Sequence, residues 1–154
     1  TISELCKKAG LDRRTFYRNF KDKNDVLQFY FSELQDEYLA ALKEISERTF
    51  YTLAKVYFEF WACHLQFMKT VQSDQALISL LFQMLNDFIP AIYAQMSGSI
   101  PKELQYNIAF VIGGFHNVLI QWITSGLHET PEKVATIVSG MFDDTVSFWP
   151  TFES

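Results

Sequence analysis

Cysteine is nearly absent: Cys6 and Cys63 are the only two in 154 residues, and they stand far apart. A small secreted domain would usually carry more. No spacing fits a zinc site, so a reducing compartment and no bound metal are expected. Glycine and proline are also scarce, six and four in all. Asn-Gly and Asp-Gly pairs are missing, and no convincing strand alternation takes their place, which argues against a hairpin-rich fold. No Ser-His-Asp set, paired carboxylates, metal cluster or glycine-rich phosphate loop is evident, so neither an enzyme nor a cofactor is expected. Long apolar runs are lacking too. The most apolar stretch, residues 108–123, is interrupted by His116, Asn117 and Gln121 and is too short to span a bilayer comfortably. The opening Thr1-Ile2-Ser3-Glu4 has no apolar run behind a basic start, as a secretory leader would. These absences predict a cytoplasmic protein with no membrane role.

What is present is apolar and unevenly charged. The chain is 49% hydrophobic and 16% aromatic, ample for a core in one domain or in a small domain fused to a larger one. Its net charge of -5 hides a split. Residues 1–23 hold seven basic side chains (Lys7, Lys8, Arg13, Arg14, Arg18, Lys21, Lys23) against three acidic ones, net +4, and the rest of the chain is net -9. A basic head on an acidic body points to a polyanion meeting the head alone.

Helical signals run throughout. Thr1 with Glu4 forms a capping-box pattern ahead of a helix over Ile2–Ala9, whose inner face is Ile2, Leu5, Cys6 and Ala9, and Gly10 stops it. Asp12 caps a second helix over Arg13–Phe20, with Phe16 and Phe20 turned inward. Asp22 caps a long helix reaching Arg48, with Val26, Leu27, Tyr30, Leu34, Tyr38 and Leu42 as its stripe. An aromatic helix is predicted over residues 50–70, and Ser73 caps the next segment. Pro90 is expected to kink or divide the pattern, and residues 96–101 read as a loop. A helix from Pro101 or Lys102 to Ser125 ends at Gly126. Thr130, with Pro131 at the first helical position, starts a last helix to about Trp149.

Residues 1–23 thus read as helix, glycine turn, helix, and a lysine opening a third. A helix-turn-helix needs this spacing: a small turn residue (Gly10) lets the helices approach, Leu11 plugs the core between them, and the second helix enters the major groove. The string Ala9-Gly10-Leu11-Asp12-Arg13-Arg14-Thr15-Phe16-Tyr17-Arg18-Asn19-Phe20-Lys21-Asp22-Lys23 resembles the helix-turn-helix of TetR-family transcriptional regulators, with Leu11 and Asp12 replacing the usual valine and serine. The resemblance covers about the first thirty residues. It implies an all-α, TetR-like fold with a DNA-binding domain at 1–30 and an effector-binding and dimerisation domain at 31–154. It also implies phosphate contacts from Thr1 and Lys23, a backbone contact from Tyr17, and recognition-helix positions at Arg13, Arg14, Thr15 and Arg18. Family domains begin with a further helix ahead of the position of Thr1. Without it the chain as written is expected to bind DNA poorly.

The body resembles the variable C-terminal domain of the same family. Residues 122–132 are similar to a tail in a subgroup related to the dihydroxyacetone-kinase operon activator. The resemblance implies a homodimer built on the last two long helices and a palindromic double-stranded DNA operator. Interface candidates are Phe110, Gly114, Val118, Trp122, Val134, Ile137, Val138, Met141 and Phe142, with a buried face of either helix inside one subunit as the competing reading. Trp61, His64, Phe67, Phe82, Phe88 and His116 are candidates for an effector pocket suited to a small apolar or aromatic molecule, since few charges lie nearby. Ordinary core packing is the competing reading for each of them. The expected function is a repressor released by such an effector. The alternative is a TetR-like coactivator that works through protein contacts without DNA.

Overall fold

The caps read from the sequence recur in the computed structural model, which describes residues 1–97 and 100–142, with the side chains of 95–97 left out. Among the described residues there are eight helices and no strands, an all-α fold. Two compact units divide the chain, Thr1–Ala40 and Ala41–Ser154.

The first unit holds α1 (Ile2–Ala9), α2 (Arg13–Asn19) and most of α3 (Lys23–Lys43). Thr1 and Glu4 form the reciprocal capping box, and Gly10 closes α1 in the left-handed region at φ 66. Asp12 starts α2, its carboxylate accepting the Thr15 N–H at 2.7 Å. Phe20 is extended, which ends α2 one residue before the expected boundary. Cys6 and Phe16 are buried, and the Phe20 ring lies 5.8 Å from Phe16 and 5.7 Å from Phe29. Leu11 does not plug the core as expected: it is 50% exposed, and Leu5 and Ala9 are exposed too. On α3, Leu34 and Tyr38 of the expected stripe are buried and Val26, Leu27 and Leu42 are half-buried, while Tyr30 lies on the surface and Phe31 is buried in its place.

In the second unit, α3 stops at Lys43 rather than at Arg48. Thr49 then caps α4 (Phe50–Cys63) through a mutual pair in which the Thr49 hydroxyl accepts the Thr52 N–H and the Thr52 hydroxyl accepts the Thr49 N–H. The aromatic stretch is two helices, not one. At His64 the backbone N–H bonds to the Trp61 carbonyl, three residues back, and α5 (Leu65–Gln72) begins at the next residue. The break lets α4 pack on α7 and α8 while α5 packs on α6. No glycine or proline marks it. Ser73 ends α5, and Asp74 rather than Ser73 accepts the Ala76 N–H at the start of α6 (Gln75–Ser97).

Helix α6 continues through Pro90 instead of dividing there. Proline removes the one N–H that would meet the Asn86 carbonyl, a loss that packing against α7 overrides. It also runs into the expected loop, and positions 98–99 lie outside the described residues. Its partner α7 (Lys102–Thr124) buries Ile108 and Ile112 with Tyr93, flanked by Leu85, Ile89, Ile100 and Leu104. Burial pushes the Tyr93 hydroxyl up to about 12. By length and composition, Gln75–Ala94 is long and apolar enough to cross a membrane, so it, and not residues 108–123, is the span-like stretch.

The turn after α7 is held by Gly126 and Leu127, both at positive φ, and by the Trp122 indole N–H donating to the Glu129 carbonyl at 3.0 Å. Thr130 and Pro131 start α8 (Pro131–Ser139) as expected, but the helix ends at Gly140. Residues 143–149, the rest of the expected helix, with its Val146, lie outside the described residues. The core is built where α4, α7 and α8 meet, on Ala54, Phe58, Leu119 and Ala135. Fully burying a residue such as Phe58 or Leu119 contributes about 1.5–3 kcal/mol.

Candidate nucleic-acid interface and regulatory body

Helix α2 owes its orientation to one side chain. Phe16 is its only buried residue, and an α-helix turns about 100° per residue, so the positions two before and two after it face away. Those positions are Arg14 and Arg18, both exposed, as are Arg13, Tyr17, Lys23 and Thr1. Thr15 differs from the other recognition-helix candidates. It is half-buried, and its hydroxyl donates to the Asp12 carboxylate at 3.2 Å, so it completes the cap of α2. The Thr15 backbone N–H is the largest influence holding the Asp12 carboxyl below the usual carboxylate range. Asp12 therefore stays ionised at the start of α2, with the charge of Arg18 acting in the same direction. Arg13 and Tyr17 form a pair along one flank, the guanidinium 3.5 Å from the hydroxyl and 5.8 Å from the ring centre. Thr1 is the N-cap of α1 and Lys23 the first residue of α3.

The effector candidates fall into groups. Trp61, His64 and Phe67 come together at the α4–α5 break, with Trp61 stacked on Phe67 at 6.4 Å and His64 at 6.4 Å from Trp61. Phe60, which the sequence reading did not single out, lies closer to His64, at 4.6 Å. Phe82 and His116 form a second pair, rings 5.3 Å apart, between α6 and α7. Phe88 is half-buried on α6, six residues from Phe82 and so about a third of a turn away from its side of the helix. His116 is 6% exposed, and its Nδ1 has no hydrogen-bond partner. Burial lowers its pKa, so the ring is held neutral.

The interface candidates divide by direction. Trp122, Val134 and Val138 are buried within the chain's own fold, which corrects their assignment to a shared surface. The Trp122 ring sits 6.0 Å from Phe58 with its N–H spent on Glu129, and α8 turns the two valines toward α4. Phe110, Ile137 and Met141 face outward, at 64%, 51% and 66% exposure, while Gly114 and Val118 are half-buried. Phe142 joins the two sets, its ring 4.3 Å from Phe50 and 6.0 Å from Phe110.

One member of this outward face escaped the sequence reading: Tyr106, 79% exposed. Tyr106, Phe110, Gly114, Asn117 and Gln121 follow one another at three- and four-residue steps along one side of α7, with Gly113 beside Gly114. That spacing was the available signal. A Cβ added at Gly113 or Gly114 would meet nothing within 4 Å, so the packing of the chain on itself does not require either glycine.

Among the described residues no group of His, Cys, Asp and Glu could hold a metal ion. Residues 49–144 match a family described as the C-terminal region of TetR-type transcriptional regulators. No curated protein and no solved structure matches the chain. The match covers more than half of the sequence and includes α4 to α8. The chain therefore belongs to the TetR family of transcriptional regulators.

Proposed function

We propose that this regulator is a cytoplasmic, non-enzymatic homodimer that binds a palindromic operator through its first unit and represses transcription until a small apolar or aromatic effector releases it. The observation that carries the reading is the outward arginine face of α2, opposite Phe16, in a head whose residues 1–23 are net +4. Phosphate contacts supply most of such affinity, and recognition-helix side chains read base edges. Arg13, Arg14, Tyr17, Arg18, Thr1 and Lys23 are the proposed contacts, with Thr15 as the cap that sets the start of α2.

Dimerisation is proposed on the α7 face of Tyr106, Phe110, Gly113 and Gly114 together with Ile137 of α8 and Met141 just beyond its end. Exposed apolar side chains and glycines that the subunit itself does not need support a second helix pair lying there. The effector is proposed to lie along the aromatic groups around Trp61 and Phe67 and around Phe82 and His116, where the orphaned Nδ1 offers one polar contact in apolar surroundings. Membership of the subgroup related to the dihydroxyacetone-kinase operon activator is part of the proposal, on the resemblance of residues 122–132 to its tail.

The test is binding of the full-length protein to the DNA upstream of its own gene over a range of salt, beside the Arg13→Ala, Arg14→Ala double variant. Tight binding that falls steeply with salt and is lost in the variant is expected. Absence of binding to every such fragment would refute the DNA-binding reading and favour action through protein contacts.

A further inference from the structure

The three arginines of α2 are not equivalent. Phe16 fixes the inward direction, and at 100° per residue Arg14 and Arg18 each lie about 160° from it, one on either side of the outermost line. Arg13 and Tyr17 lie about 60° and 100° away on a single flank. Their side chains are already joined to each other, and the Tyr17 ring meets the Phe16 edge at 5.4 Å. The opposite flank is also engaged internally: Thr15 with Asp12, and the Asn19 side-chain amide donating to the Thr15 carbonyl at 2.8 Å. Neither the Arg14 nor the Arg18 guanidinium makes a hydrogen bond or ion pair among the described residues. Both are exposed, with all their donors available.

We infer that Arg14 and Arg18 are the base-reading pair of α2, each taking a guanine, and that Arg13 works with Tyr17 as a positioning residue on the sugar–phosphate backbone. The inference rests on the DNA-binding reading above. Arginine matches the O6 and N7 acceptors of guanine with two parallel hydrogen bonds, a pattern that only G·C presents in the major groove. Residues four apart on a helix are separated by about 6 Å along its axis, while successive base pairs rise about 3.4 Å. Each half-site therefore carries two guanines within about two base-pair steps of each other.

The experiment selects binding sites for the full-length protein from a randomised duplex pool. Arg13→Ala, Arg14→Ala and Arg18→Ala are then titrated against the selected site and its single-base-pair variants at two salt concentrations. All three substitutions are at exposed positions, and circular dichroism checks that each variant keeps its helix content. Arg14→Ala and Arg18→Ala are each expected to lose roughly 10- to 100-fold on the selected site and to become indifferent to the base at one guanine position only. Arg13→Ala is expected to weaken every duplex by a similar factor and to lower the salt slope by about one. Selected half-sites without two guanines at that spacing would overturn the inference, as would loss of a base preference in Arg13→Ala. No enriched sequence at all from the wild-type protein would instead overturn the DNA-binding reading on which it depends.

Discussion

The paired glycines of α7 make a prediction in which one substitution has two opposite signs. Glycine inside a helix costs about 0.5–1 kcal/mol relative to alanine, because the unfolded chain has more freedom to lose. Gly113 and Gly114 stand mid-helix, and an added Cβ at either position meets nothing within 4 Å. For an isolated subunit, Gly113→Ala with Gly114→Ala should therefore stabilise by about 1–2 kcal/mol. If the same face packs closely on a second copy, the two methyl groups enter a filled contact. Overpacking of that kind costs about 1–3 kcal/mol, and two subunits each bring the pair. The dimer dissociation constant should rise tenfold or more, about 1.4 kcal/mol at the least. Sedimentation equilibrium gives that constant, and urea unfolding at protein concentrations above and below it separates subunit stability from association. Weaker dimers with a sturdier dissociated subunit are expected. A dimer of unchanged affinity would remove α7 from the interface. A less stable dissociated subunit would contradict the open surroundings of the glycines.

Two further substitutions read other parts of the structure. His116 has a folded-state pKa below its ordinary 6.5, so the unfolded chain takes up its proton first as the pH falls. Its contribution is fully present above about pH 6.5 and is lost as pH falls from there through the lower folded value. His116→Leu should flatten the loss of stability between about pH 7 and 5, measured by urea midpoints, and an unchanged pH dependence would show that the buried ring does not govern it. Gly10→Ala places a side chain at φ 66 with no steric neighbour within 4 Å, so its cost should be the backbone penalty alone, about 1 kcal/mol. A calorimetric midpoint equal to the wild type would argue that the left-handed turn is not retained.

What the sequence determined by itself is local. Thr1 with Glu4, Gly10, Asp12 and Thr130 with Pro131 act through hydrogen bonds and dihedral limits within a few residues, so the helix ends they govern were legible. The arginine face of α2 was legible for the same reason, since one buried phenylalanine orients seven residues. Packing between distant segments decided the rest. Nothing local separates α4 from α5, and the break at His64 follows from α5 meeting α6 while α4 meets α7 and α8. Pro90 kept its place inside α6 because the neighbouring helix outweighs one missing hydrogen bond. Leu11 carries the residue type of a core position, yet it lies at the surface. On α7 and α8 both faces are rich in apolar residues, so periodicity alone cannot tell inside from outside. Trp122, Val134 and Val138 turned inward because α4 lies on that side, and Phe110, Ile137 and Met141 were left outward because it does not.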